Sequence, residues 1–455
     1  MNRHVIIGRF GVGDRSYIPV GTDEIWTRLN FINSYSRLDY GIGQSIDDLV
    51  NLGILPSEIG LDLLILAAHV YAADTRISRG MESQDTWTRE IRLVVPVSEP
   101  DRWNAAAQIL MRMLNFLTGD RWTINFRGRP NGFSIMVPRN TNQHSGMPFD
   151  SIALFSGGLD SLIGAINILE VGQSPLFISH TGDGAASDAQ RNLYNALRAH
   201  YRQAIFSRLR LWMVFPKGIV EESVSENTTR SRSFLFFAIG VFAATGFNSP
   251  FTLQVPENGL IALNVPLDPL RLGSLSTRTT HPFYMARWNE LLAMLDIDGR
   301  VENPYWNKTK GEMIAQCTNL RLMRRIVADS LSCSSPTKGR WQGHGIQHCG
   351  YCLPCLIRRA ALLYGLGRRA DTTTYTIPDL AANMLDTHQS EGQQVRSFQV
   401  AIDRLQREPA SAKLLIHKPG PLNDDPTKWE ELADVYRRGL NEVATLLANV
   451  TTSPR

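Results

Sequence analysis

The chain has 455 residues, of which 43% are hydrophobic and 20% charged, and its 47 Lys+Arg against 43 Asp+Glu leave a net charge of +4. That is an ordinary globular composition with length for roughly three domains and a sizeable core, so no disulfide or metal is needed merely to staple a small fold. The mild positive surplus forms no clustered basic face and carries no nucleic-acid signal, and the longest apolar run, Phe234 to Ala244, is too short to cross a bilayer.

The opening residues, MNRHVIIGRFGVGDRS, have no apolar segment followed by a small-residue cleavage site, which predicts a cytoplasmic protein without a membrane partner. Residues 1–147 read as a separate N-terminal α+β domain. Leu61 to Ala73 is an apolar helical segment and Ile91 to Val97 a strand. Trp103, Ala106, Ala107, Leu110, Leu114 and Leu117 recur at helical spacing, and Gly119 supplies a stop. Trp122, Ile124 and Phe126 alternate as in a half-buried strand. Gly8, Gly11 and Gly13 match no phosphate-binding fingerprint and read as turns, and the polar stretch Gly128 to Gly146 marks a boundary.

From Phe149 the pattern changes. Strands at Ile152–Phe155, Leu176–Ser179 and Leu211–Phe215 alternate with helices at Ser161–Leu169, Asn192–Gln203 and Ser233–Ala244. Over residues 148–370 this predicts an α/β fold, a mostly parallel sheet covered by helices on both faces. Residues 371–455 are predicted to be a helical C-terminal region. There Asp425-Pro426 starts a helix whose face of Trp429, Leu432, Ala433, Tyr436, Leu440, Val443 and Leu447 packs on the body of the protein.

The first of these strands runs into Ser156-Gly157-Gly158-Leu159-Asp160-Ser161 and then a helix. Glycines there allow a tight turn that points several N–H groups at one anion, helped by the positive end of the helix. Ser156 and Ser161 can donate to phosphate oxygens, and Asp160 is placed to hold or approach Mg2+. It is not a GxxxxGK[ST] loop, since no lysine follows the second glycine.

All five cysteines fall in the second half. Cys333, Cys349, Cys352 and Cys355 have two consecutive two-residue spacers closed by a distant fourth thiol, which suits a tetrahedral ion. Zn2+ is favoured, and an iron–sulfur cluster uses the same ligands. His344 and His348 lie close enough to replace one thiolate, and Cys317 reads as a buried apolar residue.

The six-residue string in its strand-to-helix setting resembles the PP-loop of the adenine nucleotide alpha hydrolases, which cleave ATP between its α and β phosphates. Joined to the cysteine knot, which Arg358 ends, it resembles the QueC-like 7-cyano-7-deazaguanine synthase family over about residues 150–370. Arg232-Ser233-Phe-Leu-Phe and Lys308-Thr309-Lys310-Gly-Glu312-Met resemble two further segments of that family. The stretches Pro256–Asn264 and Ser276–Pro282, with the long additions at both ends, look like its anti-phage branches, the QatC-like proteins of the Qat system and those of type IV CBASS.

The resemblance implies binding of ATP and Mg2+ by Ser156 to Ser161. It further implies adenylation of a 7-carboxy-7-deazaguanine-like small molecule and capture of the acyl group by an amine. Asp160, Arg232, Lys308 and Lys310 are the implied catalytic residues. With no cysteine before Cys317, residues 1–147 cannot supply a cysteine-dependent glutaminase, so the amine is free ammonia or belongs to another molecule. Residues 1–147 and the tail then suggest recognition of another protein of the same defence operon, which would receive the base. The alternatives are synthesis of the free nitrile base for nucleic-acid modification, or a non-catalytic nucleotide-binding subunit of a defence complex. Glu257, Asn258, Asp268 and Arg278 are candidates to read the purine or merely to cap turns.

Overall fold

The structure is a computed structural model that describes residues 3–32, 37–83, 87–138, 148–182, 184–226, 230–247, 249–268, 278–368 and 370–454. Strand β1 (Arg3–Arg9) buries six of its seven residues, as a strand covered on both faces must. It pairs with β2 (Glu24–Asn30) on one side and β3 (Glu90–Val97) on the other, and β4 (Arg121–Gly128) pairs with β3. The order β2-β1-β3-β4 is parallel throughout, so the N-terminal part is α/β and not the α+β unit expected from the sequence. Helices α1 (Ile42–Asn51), α2 (Glu58–Arg76) and α3 (Arg79–Glu82) lead from β2 to β3, and α4 (Pro100–Thr118) leads from β3 to β4.

Gly8 lies within β1 and is not a turn. A Cβ there would stand 2.3 Å from His69 Nε2 of α2, so the residue is small because a helix crosses the strand at that point. The expectation for Gly11 holds, with φ at +75°. Helix α2 is capped by the Ser57 hydroxyl, which accepts from Gly60 N at 3.1 Å, and is buried around nearly its whole circumference.

The second sheet has strands β5 (Ser151–Leu154), β6 (Pro175–Thr181), β7 (Ser207–Trp212), β8 (Phe251–Gln254) and β9 (Gly299–Glu302) in the order β7-β6-β5-β8-β9, all parallel. Helices α5 (Leu159–Glu170) and α6 (Gly184–His200) connect the first three strands. After β7 the chain crosses back through α7 (Arg232–Ala244) to place β8 on the opposite side of β5. The strand order therefore reverses between β5 and β8, and a crevice is expected at the carboxyl ends of these two strands.

Helices α8 (Gly259–Leu263), α9 (Pro282–Met294), α10 (Lys310–Ala315), α11 (Leu320–Ile326) and α12 (Leu353–Leu366) complete this part. The C-terminal region is helical, as expected, with α13 (Ser390–Arg407), α14 (Ala412–Leu415) and α15 (Trp429–Leu447) and a short pair of strands, β10 (Leu385–Asp386) with β11 (Thr452–Ser453). The expected face of α15 is buried except Trp429, which is 38% exposed and whose indole N–H donates to Leu422 O at 2.9 Å.

One apolar cluster runs from Ile6 and Phe10 through α2, α4, α7 and α9 to Val301, so the two sheets share a core. A second cluster joins α8, the cysteine segment, α12, α13 and α15. The end of the predicted boundary, residues 139–147, and Ser276 with Thr277 lie outside the described residues. Among the described residues no helix is long and apolar enough to cross a membrane.

Candidate active site and metal centre

The crevice between β5 and β8 begins with the turn from Phe155 to Gly158. Gly157 has φ +82°, and a Cβ on it would stand 3.0 Å from Gln190 Cγ and 3.1 Å from Gln190 N. A glycine is therefore required both by the backbone and by α6 pressing on it. Gln190 Nε2 donates to Ser156 O at 3.3 Å and to His180 O at 3.1 Å, and Leu331 N donates to Gly157 O at 2.9 Å. Ser156 Oγ accepts from Gly158 N at 3.3 Å and lies 3.2 Å from Ser161 Oγ, which donates to Gly158 O at 2.9 Å. The turn is thus held from three sides with two hydroxyls gathered at the start of α5.

Asp160, in the first turn of α5, is buried and meets Lys310 Nζ at 3.0 Å. Its other oxygen accepts from Asn258 N at 3.2 Å and Asn258 Nδ2 at 2.8 Å. Asn258 reaches it because it is also the N-cap of α8, its Oδ1 accepting from Ile261 N at 3.2 Å. Lys310 opens α10 behind a capping box of Thr309 and Glu312. Helix α15 holds that turn from outside. Thr309 Oγ1 donates to Glu442 Oε1, Gly311 N donates to Glu442 Oε2 at 3.2 Å, and Arg438 pairs with Glu312 while donating to Asn307 O at 3.0 Å.

These groups face a cleft of about 440 Å³. Ser156, Gly158, Asp160, Ser161, Glu257 and Lys310 form its polar side, while Leu260, Val265, Leu267, Leu353, Ile357 and Phe398 make an apolar wall suited to a flat ring. Glu257 stands with its N–H and C=O both bonded to the Asn303 side chain, at 3.3 and 2.7 Å, and its carboxylate accepts from Thr280 Oγ1. Burial pushes this carboxyl up to about 7.

A second cavity of about 870 Å³ lies on the other side of the turn and shares Ser156 and Ser334 with the first. Arg230, Arg232, Lys338 and Arg340 line it, and no carboxylate is among its described lining residues, so it favours a polyanion. The backbone just before Arg232 is held by the N-terminal part of the chain. Asp74 Oδ2 accepts from Arg230 N and Ser231 N, each at 2.7 Å, and Asp74 Oδ1 meets Arg79 and Arg89 at 3.2 and 2.8 Å. Asp120 completes that buried network. Burial raises its carboxyl, but Arg89 and Arg79 outweigh this and hold it below the usual carboxylate range.

The four sequence-predicted thiols come together, with all sulfurs within 4.8 Å of one another, and could hold a metal ion. Cys333 Sγ is 3.9 Å from Cys352 Sγ, and Cys349 Sγ is 3.9 Å from Cys355 Sγ. Four sulfurs at 2.3 Å from a tetrahedral Zn2+ would be about 3.8 Å apart, so the donor set fits zinc. Gly350, at φ +89°, makes the knuckle between Cys349 and Cys352. Cys352 N donates to Cys349 Sγ at 3.2 Å, and Cys349 N and Ser335 N donate to Cys333 Sγ at 3.4 Å each. His348 is instead buried beside the cluster, accepting from Ser332 N at 3.1 Å, and His344 is exposed. Arg358 is fully buried and bonds Ser330 Oγ and Val327 O, both at 2.7 Å, tying α12 to the segment whose Leu331 braces Gly157.

Sequence reasoning therefore named Ser156 to Ser161 and Lys310, which the fold brings to one cleft, and Arg232, which it places across the turn. Lys308 is set apart from them. It gives its carbonyl to Gly259 N at 2.8 Å and is not among the described lining of either cavity. Of the purine candidates, Glu257 lines the cleft, Asn258 serves Asp160, and Arg278 is spent on α4, donating to Phe116 O at 2.6 Å with its guanidinium over the Phe116 ring. Asp268 lines neither cavity. Cys317 is buried, and burial pushes its thiol up. Gln190, Asn303, Asp74 and Glu442 were missed, each being polar and recognisable only through a partner remote in sequence. No protein-family model matches the chain, and a search of curated proteins found no match.

Proposed function

We propose that this chain is an ATP-dependent carbon–nitrogen ligase of the QueC-like kind. It would adenylate a 7-deazaguanine carboxylate and pass the acyl group to an amine, within an anti-phage defence system. The observation that carries the reading is the Ser-Gly-Gly-Leu-Asp-Ser turn at the strand-order reversal, with Asp160 and Lys310 paired at 3.0 Å beside it in a cleft with an apolar wall. Ligands of open parallel sheets bind at such a reversal, and anions bind at the start of a helix entered through glycines.

On this reading residues 148–370 are the PP-loop unit. The turn from Ser156 to Ser161 binds the β and γ phosphates of ATP. Arg232, reaching from the neighbouring cavity, faces the pyrophosphate as it departs, and Lys310 meets the charge that grows at the α phosphate. The Asp160 carboxylate is the hard oxygen donor that would hold Mg2+, which would neutralise phosphate charge. The apolar wall carries the flat base, so that its carboxylate is aligned with the α phosphate and the reaction becomes effectively unimolecular. Zinc in the cysteine knot is structural, since all four positions are thiols and none is left open. Residues 1–147 and 371–455 brace Arg232 and Lys310 respectively, and their outer surfaces are available to a protein partner that would present the amine.

The test is ATP–pyrophosphate exchange in the presence of 7-carboxy-7-deazaguanine. Exchange should depend on the acid and fall by at least about 100-fold in Asp160→Ala and Lys310→Ala. Absence of exchange in the wild-type chain would leave only a nucleotide-binding subunit.

A further inference from the structure

We propose that the Glu257 carboxylate takes the proton from the amine that attacks the acyl adenylate, making Glu257 the base of the second half-reaction. The inference rests on the adenylation reading above. Asp160 and Glu257 are the only carboxylates among the described residues lining the cleft. Asp160 serves positive charge and donors instead, with Lys310 on one oxygen, two Asn258 donors on the other and, on the reading above, Mg2+ to hold, so it is a poor acceptor for a proton. No ion pair engages Glu257 among the described residues. Among the described residues its side-chain hydrogen-bond partner is the Thr280 hydroxyl on Oε2, and none is on Oε1, which faces the cleft for a ligand.

The residue is held firmly. Both its main-chain groups are clamped by Asn303, whose Oδ1 also accepts from Tyr305 N at 3.0 Å. The charged groups facing the carboxylate are Asp160 from α5 and Lys310 from α10. Burial raises its proton affinity most, Thr280 opposes, Asp160 adds and Lys310 opposes, leaving it poised near neutrality. A base works best when its own affinity for the proton lies near the working pH.

The step balances as written. The amine lone pair forms the new C–N bond to the acyl carbon, and the C–O bond to the adenylate breaks with its electron pair leaving on AMP. One N–H proton passes to Glu257, which later returns it to solvent.

The experiment supplies ATP and 7-carboxy-7-deazaguanine with either ammonium or hydroxylamine, and measures amide and hydroxamate. Hydroxylamine is neutral and strongly nucleophilic near neutral pH, so its capture of the adenylate has little need of a base. Glu257→Gln should lower the ratio of amide to hydroxamate by about 100-fold. A variant that still makes hydroxamate at the wild-type ratio overturns the inference and spares the adenylation reading. A wild-type chain that makes no hydroxamate overturns both. Thr280→Val keeps the carboxylate and removes the side-chain donor it has among the described residues. The pH at which the ratio is half-maximal, corrected for amine ionisation, should then move upward, and an unmoved midpoint also overturns the inference.

Discussion

Glu442 joins the C-terminal helix to the turn that delivers Lys310, and its replacement by glutamine measures that join. The side chain is buried, and burial pushes its carboxyl from an ordinary 4.5 up to about 7, against the opposing bonds from Thr309 and Gly311. Between those two values the folded chain keeps a proton that the unfolded chain has released. Stability therefore falls as the pH rises from about 4.5 to about 7 and is flat above that. At about 1.36 kcal/mol per tenfold change, the interval accounts for roughly 3 kcal/mol. Glu442→Gln binds no proton in either state, so this share of the slope disappears. The variant should gain roughly 2.5 kcal/mol relative to wild type on going from about pH 5 to about pH 8, since part of the effect lies below pH 5. Glu257, also raised to about 7, is present in both proteins and cancels in the difference. The assay is the urea midpoint followed by tryptophan fluorescence at the two pH values. Parallel pH dependence in the two proteins would refute the reasoning, because the carboxylate would then bear its charge at no cost and would not be the buried brace of the Lys310 turn.

Three further outcomes are expected. Gly157→Ala places an L-residue at φ +82°, which costs about 1–2 kcal/mol, and sets a Cβ 3.0 Å from Gln190 Cγ. ATP binding measured by calorimetry should weaken by about tenfold or more, and equal affinity would contradict a turn that needs this shape. Asp74→Ala leaves Arg79 and Arg89 to share Asp120 and strands the Arg230 and Ser231 N–H groups. One-sided loss of a buried pair costs about 3–5 kcal/mol, so the thermal midpoint should drop and hydrogen exchange over Arg232–Ala244 should quicken. A drop no larger than that of a surface substitution would count against it. Elemental analysis should find one zinc per chain, and Cys349→Ser should lose it. Because Arg358 and Leu331 link the knot to Gly157, amide exchange at Gly157 and Gly158 should quicken with metal loss, and unchanged protection there would break that link.

Much of the candidate site was readable because its signals are local. The glycines of the turn, the serines beside them and the start of α5 lie within six residues, and a chelating knuckle is defined by spacers of two. The apolar face of α15 follows from helical period alone, and only Trp429, at the helix start where it meets solvent, departed from it. β1 was passed over because Gly8 and its neighbours look like turn residues until α2 is seen crossing them. Arg278 stood among the candidates to read the purine or to cap a turn until Phe116, 162 positions earlier, was found to occupy it.

The amino-acid order by itself determined β5, β6 and the helix between them, where the glycine turn falls, and which thiols converge, while the third strand lies at Ser207–Trp212 rather than Leu211–Phe215 and β8 and β9 went unread. Those properties depend on backbone preference, period and short chelate loops, all felt within a few residues. The tertiary structure alone decided that Asp160 meets Lys310 and Asn258, that Asp74 fixes the backbone just before Arg232, that Glu442 steadies the Lys310 turn, and that Glu257 faces the cleft with Lys310 nearby but bound to Asp160. Each of those pairings spans dozens to more than a hundred residues. Such groups acquire a partner, or are left without one, only when the sheets and helices have packed and water has been removed from between them.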